Sequence, residues 1–266
     1  AGIQVNEMNS GCICCSLVGD FGRALKQVIS DYHPDRILIE PSGVGKLSDV
    51  IGAVERVADE SVTLGSFITV ADATKCKVYL KNFGEFYTNQ IETASAIILS
   101  RTGSISEEKL AAAVALLREH NLNAVIITTP WDALSGAQIL EAMEHRNTLD
   151  AELKQLEAEA HEHHHHDHHH HDHHHADEVF TSWGVETTRK FTKEEIENAL
   201  AALSDSEKYG MILRAKGIVA GADGEWLHFD YVPEEASVRT GSAIVMGRLC
   251  VIGAKINEEA LKALFA

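Results

Sequence analysis

Ala96-Ile97-Ile98-Leu99-Ser100-Arg101-Thr102-Gly103 is the stretch whose reading decides the fold. Four apolar residues in succession, closed by a polar, glycine-containing turn, form the pattern of a strand buried on both faces of a parallel sheet, where helices cover both sides and alternation is lost. The pattern recurs along the first half of the chain. Arg36-Ile37-Leu38-Ile39 runs into Glu40-Pro41-Ser42-Gly43, a strand is expected from about Gly65 to Val70 ahead of Asp72, and Ala124 to Thr128 reads as another. Between these runs lie stretches with helical spacing: Leu17 to Tyr32, Leu47 to Val57, Lys75 to Leu80, Phe83 to Thr93, Ser106 to His120 and Ser135 to Arg146. Ile3 to Met8 is a further candidate strand. Strands alternating with helices imply βαβ units, so the expected fold class is α/β with a mostly parallel sheet. Ligands of such sheets sit beyond the carboxyl ends of the strands, which here carry Glu40 to Gly45, Asp72 and Ser100 to Gly103.

The second half reads differently. Thr192-x-x-Glu195 is a capping box ahead of an apolar stripe at Ile196, Leu200 and Leu203, and Asn257 to Phe265 reads as a closing helix. Met211 to Val219, Trp226 to Tyr231 and Ala243 to Ile252 read as strands, with Trp226, Phe229 and Tyr231 as core and sheet-face residues. A small α+β domain with a mostly antiparallel sheet is expected there. The expected divisions are 1–149, a linker over 150–178, and 179–266.

A formal charge of -17 argues against nucleic acid, whose phosphates demand a basic surface, and suits a protein that handles cations. No run approaches the roughly 18 apolar residues of a membrane span and no signal peptide opens the chain, so a cytoplasmic protein with no membrane partner is expected. The chain starts at Ala1 in mid-pattern, which suggests that a further amino-terminal piece belongs to it.

Gly11-Cys12-Ile13-Cys14-Cys15 places three of the five cysteines within five residues. In a long chain with α/β patterning this density points to a soft metal or to redox chemistry rather than to a disulfide framework. In an extended segment, residues two apart share a face, so Cys12 and Cys14 can grip one ion while Cys15 points elsewhere unless the chain turns. Two or three thiolates do not close a tetrahedral site; another ligand completes it, or the position stays open for transfer. The C-x-x-C spacing of thiol redox proteins is missing. Cys76 and Cys250 read as plain core thiols.

A second metal-binding feature is the tract His161-Glu-His-His-His-His-Asp-His-His-His-His-Asp-His-His-His175, which carries twelve of the sixteen histidines. Its ligands are His161, His163, His164, His165, His166, His168, His169, His170, His171, His173, His174 and His175. A tract without an apolar face cannot bury itself, and its imidazoles are mostly neutral near pH 7 and open to metal. An affinity tag would be terminal and unbroken, whereas this tract is internal and interrupted by carboxylates.

Glu40-x-x-Gly43, at the end of an expected strand, supplies a carboxylate for magnesium and a glycine N–H for a terminal phosphate. Gly43-Val44-Gly45-Lys46 fails as a phosphate loop, because Glu40 occupies the first glycine position and Leu47 stands where Ser or Thr should hold magnesium.

With these motifs in view, the chain resembles the CobW-like family of P-loop GTPases, which handle metals. The resemblance rests on Gly11-Cys12-Ile13-Cys14-Cys15, Glu40-x-x-Gly43, Ala71-Asp72-Ala73, the His-rich linker, and Leu213-Arg214-Ala215-Lys216-Gly217. It implies a P-loop NTPase-like domain whose amino-terminal strand, phosphate loop and first switch precede Ala1, followed by a CobW C-terminal domain. It implies GTP and magnesium as ligands, with Glu40 and Gly43 at the catalytic end and Ser100, Arg101 and Thr102 at the base, where the family carries N-K-x-D and this chain has Gly103 in place of the aspartate. The implied cargo is zinc, cobalt or nickel on Cys12, Cys14 and Cys15, passed to a client metalloprotein or a cobalamin pathway. A different class, a non-catalytic metal buffer, is also open, since the chain shows no phosphate loop and no intact guanine-reading motif.

Overall fold

The computed structural model describes residues 17–41, 43, 45–144, 153 and 180–266. The expected strand at Ile3 to Met8, the Cys12–Cys15 loop and the His tract lie outside the described residues.

The first unit contains α1 (Leu17–Tyr32), α2 (Leu47–Glu55), β1 (Ile68–Asp72), α3 (Cys76–Thr93), β2 (Ala96–Ser100), α4 (Glu107–His120), β3 (Val125–Ile127) and α5 (Gly136–Met143). Its three strands form a parallel sheet in the order β1-β2-β3, with Asp72 level with Ser100 at the carboxyl edge. Alternate residues serve two cores. Ala71, Ile97, Leu99 and Ile126 pack under α3 and α4 with Tyr87, Ile91 and Leu117. Ala96, Ile98, Val125 and Ile127 pack on the other side with Ala142 of α5. Burial on both faces explains why β2 is an unbroken apolar run.

Two features place α3. The separate helical stretches expected at Lys75–Leu80 and Phe83–Thr93 join across a kink at Gly84, whose φ of 28° suits a residue without Cβ. The far end is pinned by Asn121, a buried side chain at the end of α4. Its Nδ2 donates to the carbonyls of Ile91 and Ala94, both at 2.8 Å, and its Oδ1 accepts the N–H groups of Asn123 and Ala124 at 3.0 and 2.9 Å. One amide thereby ties α3, α4 and the entry to β3 together.

The expected buried strand at Arg36–Ile39 is not formed. Residues 36–39 make no ladder, and Leu38 is 81% exposed. β1 is the edge of the described sheet, and the apolar run does not pair with its outer side. Instead Arg36 Nη2 binds Glu144 Oε1 at 2.7 Å.

The second unit contains β4 (Phe180–Thr187), β5 (Lys190–Phe191), α6 (Lys193–Ala202), α7 (Ser206–Tyr209), β6 (Met211–Gly221), β7 (Trp226–Val232), β8 (Glu235–Gly241), β9 (Gly247–Ala254) and α8 (Glu258–Leu264). The sheet runs β4-β9-β6-β7-β8 and is antiparallel, apart from β5, which lies parallel to β6. The capping box is present in full: Thr192 Oγ1 accepts the Glu195 N–H at 3.1 Å and Glu195 Oε2 accepts the Thr192 N–H at 2.7 Å. α6 lays Ile196 and Leu200 on Phe229, Leu249 and Val251, where α8 adds Leu261. Phe229 needs room there. A Cβ at Gly217 would stand 2.3 Å from its ring, which accounts for the glycine closing Leu213–Gly217.

The strand expected from Ala243 begins only at Gly247. The preceding carbonyls face the first unit instead: Ile244 accepts the Thr129 hydroxyl, Val245 accepts the N–H groups of Thr128 and Thr129, and Ala243 accepts Gln138 Nε2. Val245 itself enters the core beside Ile127 and Ala142. Arg118 Nη2 reaches Glu186 Oε2 at 3.0 Å as a second tie between the units. No described helix is long and apolar enough to cross a membrane.

Candidate nucleotide and metal site

The carboxyl edge of the parallel sheet carries Asp72 and the Ser100–Gly103 turn, two of the three segments expected there. Asp72 ends β1 and its carboxylate accepts the N–H and hydroxyl of Thr74 at 2.9 and 2.6 Å, closing a tight turn into α3. Arg101 Nε stands 3.3 Å from its other oxygen. Burial on its own would raise the Asp72 carboxyl, but the Thr74 hydrogen bonds and the charges of Arg101 and Lys75 outweigh it and hold the group below the usual carboxylate range. Asp72 is therefore a committed anion whose lone pairs are largely engaged.

The turn after β2 is ordered by its neighbours. The Ser100 hydroxyl donates to the Ala71 carbonyl, the Ala73 N–H donates to the Ser100 carbonyl, and Trp131 Nε1 donates to the Leu99 carbonyl at 3.0 Å. Arg101 adopts a left-handed backbone with φ 62°, and Thr102 beside it is buried. Of the three residues expected at the base, Ser100 and Thr102 face protein while the Arg101 side chain is largely exposed. Gly103 is open: a Cβ there would meet only Pro130, at 3.7 Å.

Glu40 and Gly43 lie in the loop between α1 and α2, and Glu40 is exposed. That loop is gripped by the second half of α3. Gln90 Nε2 donates to the carbonyls of Gly43 and Gly45 at 3.1 and 2.8 Å. Asn89 Oδ1 accepts the Ser48 N–H at 3.2 Å while its Nδ2 donates to the Ser48 hydroxyl at 3.0 Å. Lys46 pairs with Glu85 and so does not reach outward as a phosphate-binding lysine would. Glu85, Asn89 and Gln90 stand out nowhere in the sequence, since polar residues on a helix carry no signal of what they face.

Cys76 opens α3 as a buried thiol that donates to the Asp72 carbonyl at 3.3 Å, and burial pushes its pKa up, which favours the protonated thiol. The Tyr87 hydroxyl is buried without an oxygen or nitrogen partner and faces that thiol; burial pushes it up as well. Among the described residues no group of three or more His, Cys, Asp or Glu side chains is placed to hold a metal ion. The expected metal ligands Cys12, Cys14, Cys15 and the histidines of 161–175 lie outside the described residues.

Two domain descriptions match the chain in order: the nucleotide-binding domain of CobW/HypB/UreG over residues 1–128, and the C-terminal domain of the cobalamin synthesis protein cobW over residues 180–266. The chain belongs to the CobW family. Among its relatives, the zinc-regulated GTPase metalloprotein activator 1 of Schizosaccharomyces pombe is 28% identical over 152 residues, covering 54% of this CobW chain and 37% of the relative. The protein of the same name from Dictyostelium discoideum is 22% identical over 245 residues, covering 80% and 48% respectively. The chain thus spans less than half the length of either relative. A solved structure, that of the Zn(II)-bound YjiA GTPase from E. coli, aligns over 91% of this chain and 74% of its own at 18% identity and a TM-score of 0.36. In this CobW chain the Asp72 turn, the Ser100–Gly103 turn and the Glu40–Gly43 loop all fall within the nucleotide-binding match.

Proposed function

We propose that the protein is a GTP-dependent metal chaperone that binds zinc, or a divalent ion of similar chemistry, and hands it to a client metalloprotein in the cytoplasm. The observation that carries the reading is the order of parts in a CobW chain. A C-x-C-C segment precedes α1, a Glu40-x-x-Gly43 loop follows it and is held by Gln90 of α3, and Asp72 and Ser100 end the two strands on either side of α3 in the chain. The relatives named zinc-regulated GTPase metalloprotein activators favour zinc among the candidate ions.

The donor chemistry divides by hardness. Glu40 offers an exposed carboxylate oxygen suited to magnesium, and magnesium there would neutralise charge on the terminal phosphate. Cys12, Cys14 and Cys15 offer thiolates suited to zinc, cobalt(II) or nickel(II), and the imidazoles of 161–175 raise the local concentration of the same ions. Gly43, whose carbonyl is fixed by Gln90, would turn its N–H toward the terminal phosphate. Because one helix separates this loop from the thiols, triphosphate and diphosphate would set two different arrangements of the thiol segment. The test is zinc affinity in the full-length protein, measured by competition with a chromophoric chelator, with GDP and with a non-hydrolysable GTP analogue. Affinity that rises with the triphosphate, and stops responding in Cys12→Ser/Cys14→Ser, supports the reading; affinity indifferent to nucleotide refutes it.

One observation favours a second reading, that of a metal buffer without nucleotide turnover. Gly103 leaves empty the position where the resemblance expects an aspartate that reads guanine. Equilibrium dialysis of the chain with labelled GTP separates the two, since tight binding rules out the buffer.

A further inference from the structure

Trp131 follows β3 at the carboxyl end of the parallel sheet, the end where ligands of such sheets sit, and it is 48% exposed. Exposed as it is, the ring is held. Its Nε1 donates to the Leu99 carbonyl at 3.0 Å, which fixes the indole beside the end of β2. The turn that carries it is closed by two backbone bonds. The Ala133 N–H donates to the Pro130 carbonyl at 3.0 Å and the Leu134 N–H to the Trp131 carbonyl at 3.2 Å. Just before it, the Thr129 hydroxyl is tied to the Ile244 carbonyl, which anchors the end of β3 on the second unit. An indole has one hydrogen to donate, and here protein takes it. What Trp131 offers to solvent is therefore apolar π surface on a rigid mount.

The neighbouring turn adds a floor without a reading group. A Cβ built on Gly103 would lie 3.7 Å from the Pro130 ring, so the turns after β2 and β3 stand side by side. Thr102 is buried, and Gly103 presents backbone alone. Toward β1, Arg101 reaches back to Asp72 at 3.3 Å. The strand order β1-β2-β3 thus puts the indole on one flank of the Ser100–Gly103 turn and the Arg101–Asp72 pair on the other. A carboxylate set against a base edge selects one base. A stacking ring accepts them all, because every base has a π-face.

We propose that Trp131 is the platform on which the nucleobase stacks, so that the site holds purine nucleotides by ring contact with little preference for guanine over adenine. The inference rests on the nucleotide-binding reading above and specifies how the base end of that site is held. Purines are favoured over pyrimidines because two fused rings cover more of an indole than one.

Trp131 carries its own reporter. In the full-length protein with Trp183→Phe/Trp226→Phe, the emission that disappears on further Trp131→Phe belongs to Trp131. GTP and ATP should quench that emission alike, and inorganic triphosphate, which has no base, should leave it unchanged. In equilibrium dialysis Trp131→Leu should weaken GTP and ATP by the same factor, ~10-fold or more, while Trp131→Phe, which keeps a ring and loses the Nε1 donor, should stay within ~3-fold. Quenching needs no substitution at position 131, so it decides the matter even where Trp131→Leu folds poorly. Saturating GTP without quenching, or undiminished affinity in Trp131→Leu, would overturn the inference and leave the proposed function standing. Trp131→Phe and Trp131→Leu losing affinity equally, with matching losses in urea stability, would also overturn it, since the indole would then serve only as a peg on Leu99. Failure of the unaltered full-length protein to bind labelled GTP would remove both readings together.

Discussion

Replacing Asn121 by alanine is the perturbation that most directly strains the scaffold behind the candidate site. The side chain makes four hydrogen bonds of 2.8 to 3.0 Å and a longer one of 3.3 Å to the Glu92 carbonyl. Three of them, to Ile91, Ala94 and Ala124, are fully buried, so water does not readily replace the lost partner. At about 1 kcal/mol net per buried bond, with part of the desolvation cost of the orphaned groups added, the loss should be about 3 kcal/mol. Asn121→Asp should be worse at neutral pH. It keeps the acceptor for Asn123 and Ala124 but turns an anion toward three carbonyl oxygens. Burial raises the folded pKa of that carboxyl above its unfolded value, so its stability is greatest in acid and falls as pH rises through the folded value. Urea unfolding followed by Trp131 fluorescence, with Trp183 and Trp226 replaced by phenylalanine, reads both variants. An Asn121→Ala loss below about 0.5 kcal/mol, the scale of an ordinary surface change, would refute the account of how α3 is held.

Three further substitutions test separate parts. Gly217→Ala must push the Phe229 ring out of the C-terminal core and should cost about 1–3 kcal/mol, with Phe229→Leu in the same chain recovering part of it. Tyr87→Phe removes a buried hydroxyl that has no oxygen or nitrogen partner, so stability should stay level or rise by about 1 kcal/mol in chemical denaturation; a clear loss would mean the Cys76 contact is a strong bond. Gly103→Asp fits with only Pro130 nearby at 3.7 Å, and in the full-length protein it should raise the preference for GTP over ATP in competition binding, whereas an unchanged ratio would remove this turn from the base site.

The parallel sheet was legible because both of its faces are covered: β2 and β3 are apolar without interruption, and only such burial suppresses alternation. The same rule misled at Arg36–Ile39, where the letters match a buried strand but the segment joins no described ladder and Leu38 is exposed. In the second unit, β8 escaped notice because Glu235–Gly241 lies at the sheet edge and only Val238 is partly buried, leaving almost no apolar signal. The late start of β9 has a tertiary cause, as Ala243, Ile244 and Val245 spend their carbonyls on Thr128, Thr129 and Gln138, more than a hundred residues away in sequence. Asp72 and Ser100 could be placed at strand ends because those ends can be read from the apolar runs before them. Glu85, Asn89 and Gln90 could not be placed, since hydrogen bonds across forty residues leave no local pattern.

Under the proposed function, thiols near the front of the chain and a phosphate-sensing loop one helix later form one device. Cobalt(II) absorption of the full-length protein reads that coupling. Loaded with magnesium and a non-hydrolysable GTP analogue, the protein should show an intense near-ultraviolet thiolate-to-cobalt band that weakens with GDP and vanishes in Cys12→Ser/Cys14→Ser. A band of equal strength with GDP, or no thiolate band in the triphosphate state, would rule that coupling out.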